Sequence, residues 1–124
     1  KLIEVQVKGA ASRADARVIA KQVVASPLVK TAIAAESANW GRLVMAVGKD
    51  DGVKLNQYKL DISIGSVTLV KNGEPVLRDK RQAEQEIKGD FVTIVINLNL
   101  GNGMATAWGC DMTEAFIKIN AEYN

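Results

Sequence analysis

Hydrophobic and polar residues alternate at the start of the chain, where Ile3, Val5 and Val7 interleave with Glu4, Gln6 and Lys8. A period of two predicts a strand with one face in the core. Gly9 breaks the pattern, and Ser12 with Asp15 three residues on resembles a capping box with the shorter acid, opening a helix through about Ala25. Ala16, Ile19, Ala20 and Val23 fall on one stripe of that helix, and Arg13, Arg17 and Lys21 follow one another on a second. The basic row fits an anion-binding face or the solvated side of an amphipathic helix, and the second is the ordinary use of such a face. Ser26-Pro27 suits the N-cap and first turn of a short helix from Leu28, although Val29, Thr31 and Ile33 also suit a strand. Asn39 to Gly48 predicts a turn and a short helix carrying Leu43, Val44 and Val47, with Gly48 as C-terminal cap.

Alternation returns at Tyr58, Leu60, Ile62 and Ile64, and after Gly65 a second strand carries Val67 and Leu69. Asn72-Gly73 supplies the positive φ angles of a type I′ turn, so Val67–Lys71 is expected to pair antiparallel with a short arm around Val76. Lys80–Lys88 predicts a one-sided helix with Ala83 and Ile87 facing inward. Phe91–Leu98 is the most apolar strand, with Val92, Ile94, Ile96 and Leu98 on one face, which places it centrally in a sheet. Gly101-Asn102-Gly103 leads to a strand-like stretch over Met104–Trp108. A GxG cradles phosphate at a strand-to-helix junction, and strand-like flanks do not supply that context. A last helix is expected from Asp111 as N-cap with Glu114 three residues on, its apolar stripe formed by Met112, Ala115, Phe116, Ile119 and Tyr123. The pattern as a whole predicts an α+β fold, a mixed β-sheet with helices packed on it.

A chain of 124 residues with 48% hydrophobic and 24% charged residues is sized for a single domain over 1–124. Its longest clearly apolar stretch, Leu43–Val47, falls far short of the ~20 residues that span a bilayer, so a soluble protein without a membrane partner is expected. Sixteen basic and 14 acidic residues leave a net charge of +2, mixed along the chain, and nothing favours nucleic acid. Histidine is absent, which excludes a Ser-His-Asp triad, a Cys-His pair or a His-based zinc site within this chain. The one cysteine, Cys110, cannot form an internal disulfide, and a reducing, cytoplasmic compartment is expected. Lys1 opens directly into a strand with no initiator Met or signal-peptide core, so the sequence reads as a processed or trimmed piece.

Candidate chemistry is sparse. Without a histidine, the Cys110 thiol has no obvious base, and a packed residue is the commoner use of such a cysteine. Asp111 and Glu114 are both accounted for by helix capping. Lys30 fits a substrate-carboxylate partner or a snorkelling lysine. The tract Ala38-Asn39-Trp40-Gly41-Arg42 has two readings. Trp40 fills the core while Arg42 pairs a carboxylate, or Asn39 or Arg42 faces a ligand.

Three tracts taken together resemble one family: Ser26-Pro27-Leu28-Val29-Lys30-Thr31-Ala32, then Asn39-Trp40-Gly41-Arg42, then Ala105-Thr106-Ala107-Trp108-Gly109-Cys110-Asp111 running on to Ile119-Asn120-Ala121-Glu122-Tyr123. They are similar to the C-terminal part of the β chain of the ornithine acetyltransferases, the bifunctional glutamate N-acetyltransferases of arginine biosynthesis. The resemblance implies a precursor that cuts itself before a threonine and an α2β2 assembly of the resulting chains. It also implies transfer of an acetyl group from N-acetylornithine through an acetyl-threonine to glutamate, releasing ornithine. Some members also accept acetyl-CoA. A threonine hydroxyl beside its own terminal amine carries nucleophile and base together, which suits a site without histidine, metal or cofactor. The partners implied are the α chain and the remainder of the β chain.

By the same resemblance no catalytic residue lies in this chain. The oxyanion-hole residues belong to the α chain, the nucleophile starts the β chain, and a substrate-binding glutamate precedes the position of Lys1. The residue that maps onto the family's substrate site is Asn120, in the terminal Asn-Ala-acid-Tyr motif. A Ser or Thr that follows the terminal tyrosine in the family has no counterpart before Asn124, and Ala35 and Ser37 stand where the family usually has Gly and Asp. The competing reading is a non-catalytic binding or assembly module built on the same domain.

Overall fold

The computed structural model describes residues 1–112. Its elements run β1 (Leu2–Ala10), α1 (Arg13–Val24), α2 (Pro27–Ala34), α3 (Trp40–Val47), β2 (Asp61–Ile64), β3 (Val67–Lys71), β4 (Glu74–Pro75), α4 (Lys80–Gln85), β5 (Phe91–Asn97) and β6 (Gly103–Cys110). The strands form one sheet in the order β4-β3-β2-β5-β1-β6. β1 and β5 are parallel, whereas every other neighbouring pair is antiparallel. This is the mixed sheet with packed helices that the patterning predicts, and β5 does lie centrally.

Alternation along the strands sorts the sheet into two unlike faces. Ile3, Val5 and Val7 of β1 stand in register with Val92, Ile94 and Ile96 of β5, and all six are buried beneath the helices. On the opposite face the register aligns Leu2 with Phe91, Glu4 with Thr93, Gln6 with Val95 and Lys8 with Asn97. That face carries no helix layer among the described residues, and Leu2, Phe91, Met104 and Trp108 are exposed on it. A β-bulge between Ile62 and Ser63, where β2 meets β3, lets both Leu69 and Val70 turn inward.

Local signals account for most element ends. The Ser12 hydroxyl accepts from the Asp15 N–H at 3.1 Å and starts α1 where the capping pattern places it. Ser26 caps α2 by accepting from the Val29 N–H at 3.3 Å, which resolves the ambiguous segment as a helix. Asn72 and Gly73 have φ of 52° and 78°, as a type I′ turn requires.

Other expectations need correction. Tyr58 does not extend β2 but lies 74% exposed in a 3₁₀ turn, Gln57–Lys59, whose entry Asn56 caps through the Tyr58 N–H. The return arm of the hairpin is Glu74–Pro75 rather than a strand centred on Val76. α4 ends at Gln85, although Ala83 and Ile87 are both buried as the periodicity predicts. Gly48 closes α3 at a φ of −87°, so no left-handed cap is used there. Apart from Asp111 and Met112, the helix expected from Asp111 to Tyr123 lies outside the described residues.

Candidate functional site

The Ser26–Ala32 and Asn39–Arg42 tracts come together as one corner. The Asn39 side-chain oxygen accepts from the Arg42 N–H at 3.1 Å and caps α3. The Arg42 guanidinium then reaches back to α2, donating to the Leu28 carbonyl at 2.9 Å and to the Thr31 hydroxyl at 3.2 Å. Arg42 therefore pairs with no carboxylate among the described residues. It ties two short helices end to side, because the Leu28 carbonyl and Thr31 hydroxyl lie nearer than any acid. Trp40 is partly buried against the core, in line with a packing role. Beside the knot lies an apolar groove of about 400 Å³ lined by Pro27, Leu28, Met45 and Ala46, with Arg42 and Lys49 as its cations.

The same corner receives the end of the last strand. Asp111 donates its N–H to the Lys1 carbonyl at 3.0 Å, and its carboxylate accepts from the Lys1 backbone nitrogen at 2.7 Å. The Met112 N–H then donates to the Lys30 carbonyl at 3.3 Å, so the chain leaves the sheet beside α2. Lys30 contributes its backbone at this point. Asn120 lies outside the described residues.

A second cluster, at the carboxyl ends of β1 and β5, was not singled out by sequence reasoning. Gly9 adopts a φ of 69°, and a Cβ there would run into the Asn97 side-chain oxygen and stand 2.7 Å from the Asn99 nitrogen. The loop after β5 crosses over the end of β1, with the Leu100 and Gly101 N–H groups donating to the Gly9 carbonyl at 2.7 and 2.9 Å. The Gly101–Gly103 stretch is thus a strand-to-strand crossing, and a Cβ at Gly101 would come within 2.8 Å of the Ala10 carbonyl oxygen. Close backbone approach, not phosphate, accounts for these glycines. The Asn-x-Asn after the apolar strand was the available signal, since such residues fold back on their own turn.

Asp61 anchors the cluster. Its carboxylate accepts from the Asn72 N–H at 2.9 Å, the Asn99 amide at 3.1 Å and the Lys71 ammonium at 3.1 Å. Partial burial alone would raise its pKa, but the three donors and the Lys71 charge outweigh that and hold the carboxyl below its ordinary range. Lys8, Asp61, Ser63, Lys71 and Asn97 line a shallow cavity of about 150 Å³ on the open face of the sheet. Among the described residues, no three His, Cys, Asp or Glu side chains converge to hold a metal. Cys110 sits exposed on β6, and among the described residues no helix is long and apolar enough to cross a membrane.

A family model described as the ArgJ family matches residues 1–124. The chain belongs to the ArgJ family. Relatives named arginine biosynthesis bifunctional protein ArgJ share 50% identity over 123 residues in Oceanobacillus iheyensis and 45% over 123 residues in Bacillus subtilis. Each alignment covers 99% of this chain, and the chain spans 30% of the length of those curated relatives. The crystal structure of the ArgJ protein from Bacillus halodurans matches with a TM-score of 0.91 and 46% identity, over 99% of this chain and 58% of that one. This chain therefore shares its fold with that ArgJ structure.

Proposed function

We propose that this chain is the C-terminal part of the β chain of an acetyltransferase of arginine biosynthesis, working in the cytoplasm within an α2β2 assembly. The enzyme moves an acetyl group from N-acetylornithine, and in some members from acetyl-CoA, to glutamate through an acetyl-threonine intermediate. The observation that carries the reading is the ArgJ match over all 124 residues, with relatives named as bifunctional proteins of arginine biosynthesis. This chain supplies a wall of the substrate site and part of the subunit interface. The nucleophilic threonine comes from the remainder of the β chain and the oxyanion hole from the α chain. Asn120 is assigned to substrate, because an amide donates and accepts at once and so suits the ammonium and carboxylate ends of an amino acid.

Denaturing intact-mass analysis of the natively purified protein, before and after incubation with N-acetylornithine, tests the proposal. The expected result is co-purifying partner chains, one of which begins with threonine and gains a single acetyl group. A lone species of this chain that gains no acetyl would overturn the reading in favour of a non-catalytic module.

A further inference from the structure

The sheet ends on β6, which pairs only with β1 among the described residues. Three hydrogen bonds establish which of its backbone groups are unpaired. Leu2 N donates to Asp90 O at 2.8 Å and Leu98 N to Lys8 O at 3.0 Å, so the even residues of β1 bond towards β5. Asp111 N donates to Lys1 O at 3.0 Å, so the odd residues of β1 and β6 bond to each other. Thr106, Trp108 and Cys110 consequently turn their N–H and C=O groups outward, away from β1. Natural edge strands of this kind are normally short or bear lysine, proline or another charge. β6 runs for eight residues, Gly-Met-Ala-Thr-Ala-Trp-Gly-Cys, with none of these.

α1 lies along the same edge. Its start meets β6 where a Cβ on Gly103 would strike the Ser12 carbonyl, and its end where a Cβ on Gly109 would stand 3.0 Å from Val24. One flank of α1 turns inward: Gln22 donates to Val47 O at 2.8 Å and Asp15 accepts from Lys54 N at 3.4 Å. Helical spacing puts Arg13 and Arg17 on the opposite flank with Val24, above the outer edge of β6. Both arginines are exposed, and neither pairs with a carboxylate among the described residues.

We infer that the outer edge of β6 and the Arg13–Arg17 flank of α1 form a docking site, which takes an extended acidic segment from the rest of the ArgJ polypeptide by strand addition. The inference rests on the reading of this chain as part of a larger assembly, and its relatives are long enough to supply the segment, since the chain spans 30% of their length. An added strand places alternate side chains on the helix side, where two guanidinium groups favour carboxylates. The remaining side chains lie beside Met104, Thr106 and Trp108 on the open face, where an apolar residue fits. A second copy suits the edge less well, because two-fold pairing of β6 with itself brings two Arg13–Arg17 rows together.

Hydrogen–deuterium exchange on the assembled protein tests this, with the Arg13→Glu/Arg17→Glu and Thr106→Pro variants alongside. Thr106 points its N–H away from β1, so proline there removes a bond to the added strand and leaves the β1 ladder intact. In the assembled wild type the Trp108 and Cys110 amides are expected to exchange at least about tenfold more slowly than in either variant. The Arg13→Lys/Arg17→Lys variant is expected to retain most of the protection. Partner chains that co-purify while these amides exchange freely would refute the docking site and leave the functional reading standing. Protection that also appears in a homodimer of this chain alone assigns the edge to a second copy and refutes it too. An absence of partner chains removes both the functional reading and this inference.

Discussion

Asp61 and Asn120 stand for two kinds of polar residue in this chain, one held by its own fold and one that we propose holds substrate. Three donors depress the Asp61 pKa, so its stabilising contribution is present above the ordinary carboxylate range and lost as pH falls through it. Asp61→Asn is therefore expected to lower Tm at neutral pH. The gap from wild type should narrow as acidification passes below the ordinary carboxylate range and through the lowered pKa of Asp61, and a gap independent of pH would contradict the assignment. For Asn120→Ala, assayed in the complete enzyme, we expect kcat/KM to fall by the equivalent of ~1–3 kcal/mol, the scale of a hydrogen bond to a charged group. Unchanged transfer kinetics would remove Asn120 from the substrate site.

The pairing of α1 with β6 depends on side-chain size. The helix-facing positions of β6 are Gly103, Ala105, Ala107 and Gly109, all small, whereas its other face carries Met104, Thr106, Trp108 and Cys110. Small residues let the helix axis approach the sheet closely, and a larger side chain there must displace α1. Ala107→Leu is expected to destabilise the domain by ~1–3 kcal/mol in denaturant unfolding. Met104→Gln, at a residue 66% exposed on the other face of the same strand, is expected to stay within about 0.5 kcal/mol. Equal effects at both positions would show that the two faces are not distinguished in this way.

At the scale of the molecule, one face of the sheet is covered by helices and the other is open among the described residues, in a chain spanning 30% of the length of its relatives. The sequence holds no histidine, and the proposed function draws its nucleophile and base from a terminal threonine outside this chain. The chain on its own is therefore expected to show no acetyl transfer from N-acetylornithine to glutamate. Turnover by the purified, uncontaminated chain would place the nucleophile here and reverse that assignment.

Much of this was legible along the chain because it depends on neighbours in sequence. Period-two alternation marked β1 and β5, Ser12 and Ser26 marked helix starts, and Asn72-Gly73 marked a turn whose φ angles are local. The three tracts that resemble the acetyltransferases were likewise readable as ordered residues. What required the folded chain was everything set by contacts between distant segments. Asp61 gained its donors from Lys71, Asn72 and Asn99, and Arg42 found a carbonyl and a hydroxyl in place of the expected acid. Gly9 and Gly101 owe their roles to one backbone crossing another. The place of β6 at the edge of the sheet, among the described residues, likewise follows from strand order. Local patterns record the conformational preferences of a few adjacent residues, whereas pairing, crossing and exposure depend on which remote segments the hydrophobic core draws together.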